Sequence, residues 1–99
     1  MPAYVIVETD VQDPERYEAY KHASPGAVHA GGGRLVARGG ELAVLEGDWN
    51  PSRLVVLEFP DLDAARRWYD SQEYQEARRL REGAASLRMV AVQGLDEPL

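Results

Sequence analysis

Apolar and polar residues alternate with a period of two in four stretches of the chain, and with a helical period in the stretches between them. Ala3 to Thr9 sets Tyr4, Ile6 and Glu8 against Val5, Val7 and Thr9, the pattern of a β-strand. "RLVAR" sets Arg34, Val36 and Arg38 against Leu35 and Ala37. "RLVVLEF" sets Leu54, Val56 and Glu58 against Val55, Leu57 and Phe59, and "SLRMVAV" sets Leu87, Met89 and Ala91 against Val90 and Val92. Between these strands, Asp13-Pro14 reads as an N-cap and a first-turn proline, opening a helix with Tyr17, Tyr20 and Ala23 or Ser24 on one stripe. Ser24-Pro25 predicts a break, because proline disfavours helical geometry in the residue before it. Ser24 would then recap a short segment carrying Val28 and His29, and Gly31-Gly32-Gly33 would end it. "ELAVLEG" reads as a short extension and "DWNPS" as a turn. Asp61 caps a helix with Leu62, Ala65, Trp68 and Tyr69 inward; Ser71 breaks it and caps another carrying Tyr74, Ala77, Leu80 and Arg81.

The order is β-α-β-β-α-β, so the sequence predicts an α+β, ferredoxin-like fold with an antiparallel four-stranded sheet. It forms one domain over residues 1–99, with a core of about 3–94 and a polar tail at 95–99. In that plan the helices cover one face of the sheet. Yet the strands are apolar on both faces. A bare face holding Tyr4, Ile6, Leu54, Val56, Leu87 and Met89 exceeds what monomers expose, and the chain has no spare element to cover it. The expectation is a homodimer, sheet against sheet, in a dimeric α+β barrel.

Composition acts mainly by exclusion. A net charge of −6 opposes nucleic acid, whose binding needs a basic footprint. No apolar run approaches the roughly 20 residues that span a bilayer, and the N-terminus enters a strand without the features of a signal peptide. No membrane partner is expected, and the expected location is cytoplasmic. The chain has no cysteine, hence no disulfide or thiolate chemistry. His22 and His29 lack the i, i+4 spacing of a helical metal pair, so neither metal nor cofactor is predicted. The glycine run follows a helix instead of a strand and reads as a helix stop, not a phosphate cradle. Arg66, Arg67, Arg78, Arg79 and Arg81 are interleaved with carboxylates, as on a solvated face.

The stretch "GGGRLVARGGELAVLEGDWNPSRLVVLEFPDLDAARRWYDSQEYQEARRLR", with "YEAY" upstream, resembles the domain of unknown function 1330 family, a branch of the dimeric α+β barrel superfamily. Its most specific pieces are "GGR", "RGG", "LEG-W-P", "EFP" and "WY-S-EY". The resemblance implies a ferredoxin-like dimer and no settled activity. Superfamily relatives include cofactor-free monooxygenases, isomerases, decarboxylases and haem enzymes, and a fold does not carry function.

Six residues stand out as candidates for chemistry. Glu58 is a carboxylate within an apolar strand and needs a partner if buried. If Leu35 and Ala37 face the helices, Arg34 and Arg38 both point to the same face as Glu58, with Glu8 nearby. Glu58 and Arg38 are therefore the catalytic candidates, and Arg34 a ligand-binding one, for an anion. Tyr17 and Tyr20 fall at core spacing and could line a cavity beside the Ser24-Pro25 break. Trp49, in a turn, should pack across the dimer or over a pocket mouth. Two readings follow. One is binding, and conversion without a cofactor, of a small organic molecule in a cavity of the barrel. The other is a non-catalytic dimerisation module whose buried Arg–Glu pair only fixes assembly.

Overall fold

In the computed structural model, which describes all 99 residues, the alternating stretches form one antiparallel sheet. Its strands are β1 (Ala3–Val11), β2 (Arg34–Arg38), β3 (Leu54–Phe59) and β4 (Ala85–Gln93), in the order β2-β3-β1-β4. Helices α1 (Pro14–Ala30), α2 (Leu62–Asp70) and α3 (Gln72–Arg79) lie on one face. This is the ferredoxin-like arrangement, with the second helix in two segments. The predicted caps form: Asp13 accepts from the Arg16 amide, Asp61 from that of Ala64, and Ser71 from that of Tyr74. Ser71 also donates to the Trp68 carbonyl at 2.7 Å, so one hydroxyl ends α2 and starts α3.

The three glycines after α1 do three different things. Gly32 takes the left-handed conformation, and its amide bonds His29 while that of Gly33 bonds Val28, the Schellman pattern. Gly31 and Gly33 leave room for neighbours instead. A Cβ at Gly31 would lie 2.9 Å from the Trp68 Cβ, and one at Gly33 2.5 Å from the Phe59 ring. The buried core is built on these contacts. Val5, Val7, Leu57 and Phe59 rise from the sheet to meet Tyr17, Tyr20, Val28, Trp68 and Tyr74 from the helices.

Four expectations need correction. First, α1 does not break at Ser24-Pro25 but runs on to Ala30 with Pro25 inside it. A proline at that position withholds an amide from the Lys21 carbonyl four residues earlier. The Arg38 guanidinium supplies the missing donor, at 2.7 Å from that oxygen. The helix survives because β2 repairs it. Second, β2 carries a bulge between Leu35 and Ala37, so Arg34 pairs with Glu58 whereas Arg38 pairs with Val55. One extra residue reverses the alternation, and Arg38 turns to the helix side, away from Glu58. Third, Met89 stands opposite Val7 and Leu87 opposite Thr9, so both pack on the core face. The open face is instead Tyr4, Ile6, Leu54, Val56, Val90 and Val92. Both residue sets of β4 are apolar, and alternation alone does not say which is inside. Fourth, Tyr69 is at the surface, not inward; it has Arg78 stacked 4.5 Å from its ring.

The Cα framework measures 41 × 37 × 16 Å, a two-layered slab with one sheet face uncovered. No helix is long and apolar enough to cross a membrane. The repair of α1 can be tested by a double-mutant cycle. Arg38→Ala should destabilise by about 1 kcal/mol, the loss of a partly exposed hydrogen bond. In a Pro25→Ala background, where residue 25 again has an amide, that loss should shrink towards zero. Equal losses in both backgrounds, measured by chemical denaturation, would show that Arg38 does not serve the proline.

Candidate functional site

The open face carries two ion pairs at opposite ends of an apolar strip. At one end Arg34 donates from Nε (2.9 Å) and Nη2 (2.6 Å) to the same oxygen of Glu58. Both arms converge on one carboxylate oxygen, which leaves the other free. Within a single chain Glu58 is 23% exposed and Arg34 70%. At the other end Arg88 binds Glu8 Oε1 through Nε (2.7 Å) and Nη2, and Trp49 donates its indole N–H to Oε2 at 3.0 Å. The Trp49 hydrogen bond, and then Arg88, hold the Glu8 carboxyl below the usual carboxylate value. Trp49 lies beside Ile6, Arg88 and Val90 and is 54% exposed. Glu58 and Glu8 lie opposite Tyr4 and Leu54 in the β1–β3 register, roughly 13 Å apart along the strands.

A different site opens on the other side of the sheet. Tyr17, Tyr20, Trp68 and Tyr74 line a cavity of about 30 Å³ between the helices and the strands, with Val7, Thr9 and Arg53 below. It holds a water molecule, not an organic ring. The Tyr20 and Tyr74 hydroxyls share a hydrogen bond of 2.8 Å, and the Arg81 guanidinium sits 5.3 Å from the Tyr20 ring. Burial pushes the Tyr17 and Tyr74 hydroxyls up, so both are proton donors at neutral pH. Three cavity-lining residues carry a buried polar atom with no partner: Thr9 Oγ1, Arg53 Nε and Trp68 Nε1. The cavity's rim is basic. Lys21, Pro25, Arg38 and Arg53 border it and also border a polar recess of about 490 Å³, shared with Glu18 and His22.

The six predicted residues therefore fall in three places. Tyr17, Tyr20 and Arg38 meet at the cavity and its rim, Arg34 and Glu58 pair on the open face, and Trp49 joins Glu8 at that face's far end. Thr9, Arg53 and Trp68 escaped the sequence reading as polar members of this cavity. Thr9 and Arg53 left a signal: each shares the parity of core residues, Thr9 with Val5 and Val7, Arg53 with Val55 and Leu57. A cation on the core side of a strand needs a reason to be there.

The sequence matches the domain of unknown function (DUF1330) over residues 2–95. The chain belongs to the DUF1330 family. No match is found among curated proteins. This DUF1330 domain is similar in structure to a protein of unknown function from Rhodopseudomonas palustris, at 23% identity and a TM-score of 0.72, over 97% of this chain and 84% of that one. It is similar to SnoaB, a cofactor-independent oxygenase from Streptomyces nogalater, at 13% identity and a TM-score of 0.68, over 97% of this chain and 95% of the other. A dimeric ferredoxin-like protein of unknown function from Thermobifida fusca matches at 19% identity and a TM-score of 0.66, over 94% and 91% of the two chains.

The Glu8–Trp49 contact has a definite pH dependence. Glu8 titrates lower in the folded protein than when free, so its contact is complete above the ordinary value of 4.5 and is lost as the pH falls through the lowered pKa. Access of a neutral quencher to Trp49 fluorescence should be constant from neutral pH down to about 4.5 and rise below it. Buried Trp68 gives a steady background. In Glu8→Ala, Trp49 should be accessible at every pH. A wild-type transition near neutrality would refute the assignment.

Proposed function

We propose that this DUF1330 domain is a homodimer that binds a small acidic organic molecule, a carboxylate or phenolate, at the cavity between sheet and helices. The observation that carries the reading is the set of unpartnered polar atoms, Thr9 Oγ1, Arg53 Nε and Trp68 Nε1, buried around an aromatic cavity. Each such group left without a partner costs about 1–3 kcal/mol, and two of the three are N–H donors that an acceptor on a ligand would satisfy. The basic rim of Lys21, Arg38 and Arg53 suits the anion, and the 490 Å³ recess, lined by polar and charged residues, has room for it. The ligand's tip would replace water in the cavity and its bulk would rest between α1 and β2.

Conversion of the ligand without a cofactor is compatible with this chemistry in one form only. The cavity presents donors and cations, and burial keeps its tyrosines protonated. It would stabilise an oxyanion that the ligand brings or develops, while Glu18 and His22 in the recess are the groups placed to accept a proton. That a cofactor-independent oxygenase shares the fold agrees with this form. Glu58 and Arg34, on the opposite face, then belong to assembly. Their pair sits where a second copy would cover the sheet, as in the dimerisation reading of the sequence.

The ligand reading is tested by thermal shift with benzoates, phenols and enolic diketones. A compound at a hundred times its Kd stabilises by about 2.7 kcal/mol, a rise of roughly 10 °C or more for a domain of this size. Arg53→Met should abolish the rise without unfolding the protein. A flat response to the whole panel would remove the reading. The dimer is tested separately, by light scattering at micromolar concentration. Val56→Asp should give a monomer or aggregate, because it buries an unpaired charge; a wild-type monomer would refute the assembly.

A further inference from the structure

The segment from Gly40 to Gly47, between β2 and β3, is apolar at its centre yet exposed to solvent. Leu42, Val44 and Leu45 are exposed, Leu45 fully so at 93%. From Gly40 to Gly47 no backbone N–H or C=O bonds any other part of the chain: Gly39 bonds Leu54 before it and Ser52 bonds Thr9 after it. A Cβ built at Gly40 or Gly47 would meet open space. Polar loops leave their backbone to water without difficulty, but "LAVL" gains nothing from water. A run of unpaired backbone flanking apolar side chains is half of a strand interaction.

The other half lies at the opposite edge of the sheet. β4 is nine residues long and pairs on one side only, with β1. Long regular edges are normally covered, and nothing in this chain covers this one. Beside it, between β4 and α2, runs a mainly apolar groove of about 330 Å³ lined by Ala65, Tyr69, Met89 and Ala91, with Arg66 and Asp70 as its two polar members. The segment cannot fold back onto its own β4, because β3 and β1 lie between that edge and β2, from which it departs. A second copy removes the obstacle. Two sheets stacked on a two-fold axis parallel to their strands run in opposite order, so β2 of one lies over β4 of the other. The strip a second copy would cover, Tyr4, Ile6, Leu54, Val56, Val90 and Val92, is the apolar face that the chain itself leaves bare.

We propose that residues 41–46 form an exchanged arm. In the homodimer, each arm pairs with the free edge of β4 of the partner subunit and seats Leu45 in the adjoining groove. The inference rests on the dimeric reading above and extends it: the arms close the barrel at both edges, and the partner's arm forms a wall next to Trp68 and Met89, which line both groove and cavity. Ligand site and assembly then share two side chains.

Hydrogen exchange on the full chain decides the matter, read together with light scattering on the same samples. In a dimeric sample the amides of residues 42–46 should exchange about a hundredfold or more slower than unpaired amides, and dilution to monomer should release them. Leu45→Asp should weaken the dimer by about tenfold or more. Since Leu45 is almost fully exposed in its own chain, this variant should keep the wild-type circular dichroism. A dimer whose residues 42–46 exchange freely would overturn the arm and leave the sheet-to-sheet dimer standing. A wild-type monomer at micromolar concentration would overturn both.

Discussion

A β-strand whose alternate residues are apolar on both faces has to be covered twice, and β1 and β3 are such strands. Val5, Val7, Leu57 and Phe59 are covered by the helices of the same chain. Tyr4, Ile6, Leu54 and Val56 face away from them. Everything else in the molecule is arranged around that demand. The helix layer supplies the aromatic side chains that meet the sheet, and the ion pairs Arg34–Glu58 and Arg88–Glu8 mark the two ends of the open strip. Charged pairs at the rim of an apolar face fix its register against a second such face, since a sliding partner would strand them.

The two sides of the sheet differ in how their polar groups are satisfied. The helix side is a core with a flaw in it, a small void bordered by buried polar atoms that do not find one another. The open side differs: its charged groups are paired, Arg34 with Glu58 and Arg88 with Glu8. Natural cores pair their buried polar groups almost without exception, so the unsatisfied side is where a molecule from outside has something to offer. The tyrosines there are held as donors by the same burial that shapes the void.

Much of this was legible in the sequence, and what was not has physical causes. Asp13, Asp61, Ser71 and the glycine run announced the helix ends because capping is local: the donor, the acceptor and the chain direction lie within a few residues. The α1 break was misread because its remedy is not local, the Lys21 carbonyl being served by Arg38 from another element. Leu87 and Met89 were assigned to the wrong face because both parities of β4 are apolar, and only pairing with β1 decides between them. Arg53 could have been found by the parity that placed Leu57 in the core. Arg38 could not, since a bulge leaves no mark in the alternation of five residues.

That bulge has an evolutionary consequence. Because one supernumerary residue in β2 reverses the face of everything after it, gain or loss of a single codon moves an arginine between the helix-covered face and the open face of the same sheet. Substitutions adjust a site by degrees, whereas a one-residue indel in such an edge strand reassigns a side chain to another task at a stroke. Among relatives of this domain, the length of the segment between the glycine run and the second "GG" should therefore divide sequences by what their arginines do, more sharply than the identity of any one residue.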